Sequence, residues 1–386
     1  MMNVSSPRIY VDLLGYFQAR GLFKGIEGDY TFDKPSSLIG LNPSNITTID
    51  NSNVTSGSTI DIVLKDNNKF INFISNSGNI FSAVLGHNFA SAQASYYCMA
   101  ESTDFQLATD PLINFPDAVK NPPIYDGFTI TTGTDGAEVT NGERIIFKLE
   151  HREHSESGGS LGDDSWDIPP YIGSLAFGSY WDAFHSPDLS LTQTYEMDGV
   201  TTQQTKGGAT LSNMRYSGNP KWGTVEATTG TYELGAWELA KPLFTGEDVT
   251  GYEGVTPSTI GRPSRRIWHL TFSYLSDKQV LPINALGTDY FDIESASLYD
   301  SSEYTSDDSS DTFNSNVLTG TDFFSQVWSK TLGGHLPFIF NPQGGGDSPD
   351  NNPSNFAICR FDQDSLKVTQ TSPSLYSISL KIRECW

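Results

Sequence analysis

The feature that most constrains the fold is the strict alternation of apolar and polar residues that closes the chain. In the segment SLYSISLKIRECW, the apolar positions are Tyr376, Ile378, Leu380 and Ile382. The positions between them are Ser377, Ser379, Lys381 and Arg383. A period of two residues predicts a β-strand with one buried face. A chain that ends on such a strand closes a sheet there, so we expect truncation to be poorly tolerated.

A short amphipathic helix is predicted shortly before this strand, in TDFFSQVWSKTLGG. Thr321 is expected to cap its start, Asp322 suits the positive end of the helix dipole, and Gly333 can end it in the left-handed conformation. Apolar residues recur there at the three-to-four spacing of one helical face, at Phe323, Phe324, Val327, Trp328 and Leu332. This face belongs either to the core or to a subunit contact, and we favour the core.

Other segments of the last half also read as strands. LPFIFNP and NFAICRF are apolar, and RRIWHLTFSYL places Trp268, Leu270, Phe272 and Tyr274 on one predicted face. TKGGATLSN predicts a hairpin with its tight turn at Gly207-Gly208. An acidic, Ser-rich segment near 299–312 is predicted to be an exposed loop. Together these segments predict a β-rich domain over residues 186–386 that carries one short helix.

The first half predicts a β-sandwich over residues 41–185. Its strand-like segments are TIDIVLK, IFSAVLGHNF, ASAQASYYCMAES, RIIFKLEH and IPPYIGSLAFGSYWDAF. They are separated by turn residues, in a chain with 35 Gly and 20 Pro, and not by helices. Residues 1–40 form a lead segment in which a strand runs into a short helix, and we expect this segment to dock onto another domain or subunit. The predicted class is therefore mostly β, with a jelly-roll-like sandwich followed by a β-rich domain.

The net charge of the chain limits the kinds of molecule that it is expected to bind. Acidic residues outnumber basic ones by 46 to 23, giving a net charge of −23. Such a surface repels phosphate backbones and anionic lipids, so neither direct nucleic-acid binding nor membrane binding is expected. One explanation of the high negative charge is that it keeps the protein soluble. The alternative is that it lines the wall of a channel through which DNA passes without binding.

Cysteine usage and the N-terminus suggest synthesis and assembly in the cytoplasm. Cys98, Cys359 and Cys385 show neither disulfide nor zinc spacing, and the first two are expected to be buried free thiols. The N-terminal residues carry no secretory signal pattern, and no stretch approaches the length of a membrane span.

Three polar groupings are candidate sites, and each has a simpler structural interpretation. His151 and His154 have a metal-like spacing but lie in a Gly/Ser-rich stretch that predicts a solvated loop. His87 and Asn88 could line a glycan pocket, but we expect them to satisfy backbone groups at a strand end. The segment Gly344–Asn355, with Asp347 and Asp350, has the composition of a calcium loop without its spacing and predicts a connecting loop. No nucleophile or phosphate-loop motif is found, so we predict no enzyme activity and no cofactor or metal.

Two groups of segments resemble known proteins. VLGHNFASAQASYYCMAES and YIGSLAFGSYWD resemble the strand-and-turn and closing strand of discoidin-like (galactose-binding-type) jelly rolls in phage tail proteins. RRIWHLTFSYLSD, LPFIFNP and the FAICRF…LYSISLKIRE ending are similar to virion structural proteins of phages. The resemblance covers about two thirds of the chain, with its segments in the expected order.

The resemblance implies a structural component of a phage tail, in the tail tip, baseplate or a fibre-anchoring ring. Its partners would be other tail proteins and further copies of itself with three-fold or six-fold symmetry, and its location the virion. The alternative is a carbohydrate-binding module for host attachment, with Tyr125, Trp166 and Tyr171 as candidate glycan contacts. Trp181 belongs to the same set, although a core position explains it equally well. A secreted glycan-degrading enzyme is a third hypothesis, without a supporting motif.

Overall fold

A computed structural model of the chain describes residues 5–28, 31–43, 45–50, 59–64, 79–90, 92, 94–100, 110–113, 123, 126–132, 144–151, 168–197, 200–214, 264–281, 322–346, 349–351 and 355–385. The described part is mostly β, as predicted. The predicted acidic loop near 299–312 lies outside the described residues. No helix in the described ranges is long and apolar enough to cross a membrane.

The strands are, in chain order, β1 (Arg8–Asp12), β2 (Phe23–Gly28), β3 (Thr31–Phe32), β4 (Thr47–Asp50), β5 (Thr59–Leu64), β6 (Ile80–His87), β7 (Ala94–Ala100), β8 (Asp110–Ile113), β9 (Gly127–Thr132), β10 (Arg144–His151), β11 (Tyr171–Ile172), β12 (Ser174–Asp182), β13 (Thr192–Met197), β14 (Val200–Gln204), β15 (Thr210–Met214), β16 (Ser264–Leu275), β17 (Phe338–Asn341), β18 (Ala357–Phe361), β19 (Val368–Ser372) and β20 (Leu375–Glu384). The helical elements are α1 (Leu13–Ala19), a 3-10 turn (Pro35–Leu38), α2 (Asp277–Val280) and a π-helix (Phe324–Ser329).

One antiparallel sheet of eleven strands joins the two ends of the chain. Its order is β13-β16-β20-β18-β17-β1-β12-β6-β9-β8, and β19 pairs with β20 outside this path. Strand β1 lies in the middle, where Tyr10 is opposite Tyr180 of β12 on one side and Ile339 of β17 on the other. Each of the three predicted segments therefore contributes strands to this sheet. Whether the segments fold as separate units stays a prediction.

A second sheet, in the order β2-β5-β10-β7, covers one side of the N-terminal half. A buried cluster containing residues of both sheets and of α1 lies between them. Three of the segments predicted as strands bury alternate residues in this cluster: Ile60 and Ile62 of β5, Tyr96 and Cys98 of β7, and Ile145, Phe147 and Leu149 of β10. This half of the chain is thus a sandwich of two packed sheets.

The turn from β1 into α1 depends on Asp12. Its carboxylate accepts hydrogen bonds from the backbone N–H groups of Leu14 (3.1 Å) and Gly15 (3.0 Å), which caps the helix. The same carboxylate accepts a longer bond of 3.4 Å from the N–H of Phe177 on β12. At Gly178 of β12, a Cβ atom would overlap the carbonyl oxygen of Val11, so the close approach of these strands requires glycine. The predicted strand-to-helix turn is confirmed.

The predicted C-terminal helix is a short π-helix whose apolar face belongs to the core. Phe323, Val327 and Trp328 are buried, and the Phe323 ring lies 5.1 Å from that of Trp181 in an edge-to-face arrangement. Gly333 ends the segment with a φ of 68°, as predicted. The capping residue is Asp322, whose Oδ1 accepts from the N–H of Ser325 at 2.9 Å. Thr321, the predicted cap, lies outside the described residues.

The alternation of β20 is confirmed, but that of β16 is only partly so. Ile378, Leu380 and Ile382 are buried, whereas Ser379 of β20 is exposed. On β16, Trp268, Leu270 and Phe272 are buried, but Tyr274 is 78% exposed. The prediction that Tyr274 shares their face is wrong, because the register shifts between Phe272 and Leu275. This β-bulge inserts an extra residue and turns Leu275 inward in place of Tyr274.

Candidate interaction surface

The bulge of β16 displays an aromatic side chain in an unusual backbone conformation. Tyr274 has a φ of 62°, which L-residues other than glycine adopt infrequently. Two hydrogen bonds from the loop before β13 hold the adjoining residues. The Ser273 hydroxyl donates to Asp188 Oδ2 at 2.7 Å, and the Asp188 N–H donates to the Thr271 carbonyl at 2.8 Å. The bulge is therefore fixed by tertiary contacts and does not expose Tyr274 by fraying.

A second apolar side chain lies beside this bulge. Leu189 directly follows Asp188 and is fully exposed. We call Leu189 and Tyr274 the bulge patch. Exposed apolar side chains mark contact surfaces for other molecules when they form a contiguous patch, whereas single ones are common on protein surfaces. Because the patch is small, it can form only part of an interface.

A hairpin formed by β14 and β15 is the second exposed feature. The strands pair from Val200↔Met214 to Gln204↔Thr210, and Gly208, at a φ of 84°, forms the turn. The predicted tight turn at Gly207-Gly208 is thus confirmed. Every side chain from 201 to 213 is exposed, including Leu211 at 60%. Lys206, in the turn, is the only charged residue between 200 and 214.

Among the described residues, β14 and β15 pair only with each other. A two-stranded hairpin is marginal in water, and the outer edges of such strands are candidates for pairing with another chain. The hairpin follows β13, the terminal strand of the main sheet. Met197 of β13 pairs with Ser264, so the chain enters the hairpin at the end of the sheet where β16 begins. Its position and composition make the hairpin a candidate for contact with another protein chain.

Of the predicted glycan contacts, Tyr171 and Trp181 are described, whereas Tyr125 and Trp166 lie outside the described residues. Tyr171 is half-buried on β11, and its N–H donates to Asn88 Oδ1 at 2.8 Å. Burial, with a contribution from Asp126, raises the pKa of its phenol. Trp181 is buried against Phe323 and is a core residue.

His87 and Asn88 have the predicted structural role. The His87 Nδ1 accepts from the Phe89 N–H at 3.2 Å, so Nε2 carries the proton and donates to Thr129 Oγ1 at 2.8 Å. Burial lowers the pKa of His87 to about 3, which keeps the ring neutral. The Asn88 amide donates to the Pro169 carbonyl at 3.0 Å. Both side chains are buried, so neither lines a glycan pocket.

The remaining candidate metal positions do not form a site in the described part of the chain. His151 is the last residue of β10, but its side chain lies outside the described part of the chain. The whole of His154 also lies outside it. In the segment Gly344–Asn355, the Asp350 carbonyl accepts from the Asn341 amide at 3.0 Å, which fits the predicted connecting loop. Asp347 lies outside the described residues. Among the residues that are described, no three His, Cys, Asp or Glu side chains are placed to hold a metal ion.

Two basic side chains in the described second half of the chain are buried, namely Arg266 and Lys330. The Arg266 Nε donates to Glu384 Oε1 at 2.6 Å, its backbone N–H donates to Oε2 at 2.6 Å, and Nη2 donates to the Phe356 carbonyl at 3.2 Å. Lys330 is fully buried, and its Nζ donates to Gln326 Oε1 at 3.0 Å. Burial lowers the pKa of Lys330 to about 7, against the opposing charge of Asp322. The Arg266–Glu384 pair therefore joins β16 to β20, whereas the Lys330 bond lies within one helical segment.

The cysteines behave as predicted. Cys98 and Cys359 are free and buried, and burial raises the pKa of each thiol. Cys385 is also free, and burial raises its pKa to about 11. All three thiols are therefore protonated at neutral pH and are poor nucleophiles.

Sequence reasoning predicted the hairpin but missed the bulge patch. A period-two run contains no signal for a bulge, and alternation alone assigns Tyr274 to the inner face. The loop SPDLS before β13 marks a turn, but it does not show that Asp188 reaches β16. Comparison of the chain with protein-family models, curated proteins and solved structures finds no match. The candidate surface therefore rests on the geometry of this chain alone.

Proposed function

We propose that this chain is a structural component of a phage tail, in the tail tip, baseplate or a fibre-anchoring ring. It acts through protein–protein contacts in virion assembly and host attachment. The observation that carries the proposal is the bulge patch, where an aromatic residue is held exposed in a costly backbone conformation. Residues in such conformations cluster at functional sites, which makes the bulge patch a functional candidate. The order of the phage-like segments in the sequence supports the same role.

The architecture also suits a structural part. The lead strand β1 is paired on both sides, with β12 and with β17, which lies more than three hundred residues later in the chain. Two described ion pairs of buried arginines join neighbouring strands: Arg8 of β1 pairs with Asp182 of β12, and Arg266 of β16 pairs with Glu384 of β20. An extensive sheet of this kind supplies a rigid body on which exposed contact elements can be carried.

Mass spectrometry of purified virions tests the proposal. We expect peptides of this chain in virions of the phage that encodes it, at a copy number that is a multiple of three or six. Virions that lack the chain would refute the proposal. A phage carrying Tyr274→Ser should yield fewer complete particles, whereas Tyr195→Ser, at another exposed tyrosine, should not.

A binding experiment separates this function from the alternative. The carbohydrate-binding hypothesis requires the purified chain to bind a host polysaccharide and to lose that binding on Tyr171→Ala. The proposed function requires neither result. Glycan binding in a chain that is absent from virions would favour the alternative.

A further inference from the structure

The hairpin and the bulge patch lie at opposite ends of the same strand. The chain enters the hairpin beside Ser264, where β16 begins, and Tyr274 lies ten residues further along β16. At about 3.3 Å per residue, this separation is about 33 Å. Within one chain, Leu211 is therefore too far from the bulge patch to contact it. Each of the two features is free to contact another molecule.

The two features are also complementary in chemistry. The hairpin offers an exposed apolar side chain, Leu211, and a single positive charge, Lys206. The bulge patch offers Leu189 and Tyr274 beside the half-buried carboxylate of Asp188. In a chain with a net charge of −23, two copies repel each other over most of their surface. A segment of 15 residues without an acidic side chain is well suited to approach another copy.

We infer that the hairpin of one copy docks onto the bulge patch of a second copy of this chain. Leu211 packs against Leu189 and Tyr274, and Lys206 approaches Asp188. Because the two surfaces differ and lie at opposite ends, the contact is head-to-tail, and it builds a ring if the rotation closes. This inference rests on the proposed function only for the expected ring size. The contact itself is a property of the chain.

Disulfide trapping between separately purified variants tests the contact. Leu211→Cys chains are mixed with Tyr274→Cys chains under mild oxidation, with Cys385→Ser in all chains to remove the least buried native thiol. We expect a mixed disulfide dimer in at least tenfold greater yield than from Leu211→Cys with Gln370→Cys, an exposed position on β19. Equal yields in the two mixtures would overturn the inference.

The mass of the untrapped full-length chain gives an independent test. Light scattering should find an oligomer that dissociates to monomers on Leu211→Glu or on Tyr274→Glu, while the control Gln370→Glu leaves the mass unchanged. Leu211 and Tyr274 are exposed, so the variants should keep their far-UV circular dichroism. A wild-type chain that is monomeric at all accessible concentrations would refute the contact, as would an oligomer that survives both substitutions.

The outcomes separate the inference from the proposed function. If the chain forms oligomers that depend on the hairpin but is absent from virions, the inferred contact stands and the proposed function is refuted. If the chain is present in virions but its oligomers are unaffected by substitution of Leu211 and Tyr274, the proposed function stands and the inferred contact is refuted.

Discussion

Lys330 and Arg266 are both buried cations, but their surroundings differ. Arg266 is paired with the carboxylate of Glu384, whereas the Lys330 Nζ donates to the neutral amide of Gln326. A buried charge without a close counter-ion costs free energy, and the group then releases its proton more readily. The two residues therefore predict different responses to pH and to substitution.

Stability should depend on pH through Lys330. Its pKa in the folded chain is about 7, below the ordinary 10.5, so the folded state binds fewer protons than the unfolded state between these values. The Lys330 contribution to the free energy of unfolding should therefore rise as pH increases from 7 to 10.5, by at most about 5 kcal/mol at about 1.4 kcal/mol per pKa unit. Above about pH 9 the three buried thiols, whose pKa values are raised from 9.0, oppose this rise. The contribution is measured as the difference between the urea unfolding free energies of the wild type and Lys330→Met at several pH values.

Lys330→Met should remove this pH dependence and raise stability at pH 7. The matched control is Lys367→Met, because Lys367 is exposed. A Lys330→Met chain with the same pH profile as the wild type would show that Lys330 does not titrate in this window.

The Arg266–Glu384 pair should behave as a unit. Arg266→Met leaves the Glu384 carboxylate buried without its partner, which should destabilise the chain by about 3–5 kcal/mol. The double variant Arg266→Met/Glu384→Leu removes both charges and should recover most of that loss. Denaturant unfolding of the four chains of this cycle gives the coupling energy. Additive effects of the two substitutions would contradict the pairing.

At the scale of elements, sequence patterns predicted most strands but not their departures from regularity. β20 alternates without interruption, so its buried face was evident from Ile378, Leu380 and Ile382. β16 carries the same pattern as far as Phe272, where the bulge begins. The bulge is fixed by Asp188, more than eighty residues away in sequence, and a local pattern contains no information about such a contact. The candidate patch was therefore not predictable, whereas the hairpin was, because Gly207-Gly208 signals its turn locally.

Replacing Tyr274 by glycine should change the stability of the chain and its self-association in opposite directions. A left-handed conformation costs an L-residue about 1 kcal/mol, and Tyr274 is too exposed to gain much from packing. Tyr274→Gly should therefore raise the free energy of unfolding by about 1 kcal/mol while weakening self-association. The control Tyr195→Gly, on strand β13, should lower stability, because glycine is unfavourable in a regular strand. A loss of stability in Tyr274→Gly would mean that the exposed ring supports the fold.

At the scale of the whole molecule, β1 connects segments that are far apart in sequence. It hydrogen-bonds to β12 on one side and to β17 on the other, so strands of the N-terminal sandwich and the C-terminal strands belong to one sheet. The predicted boundary near residue 185 rests on local sequence patterns, which contain no information on strand pairing. Pairing between residues more than three hundred positions apart is determined by tertiary packing.

This continuity predicts cooperative unfolding. In native-state hydrogen exchange with increasing urea, the amides of β12 and β20 should become exchangeable in the same global transition. Ile9→Ala, in the buried face of β1, should lower the protection of both strands by the same free energy. Two separate transitions would show instead that the predicted boundary near 185 divides independent folding units.

An electron-microscopy map of the virion tests the central claim most directly, namely that this chain is a tail component that works through contacts between its copies. With the eleven-stranded sheet placed in the map, we predict three or six copies around the tail axis, each with its hairpin at the bulge patch of the next. A tail map without density for this sheet, in virions that otherwise assemble normally, would contradict the account.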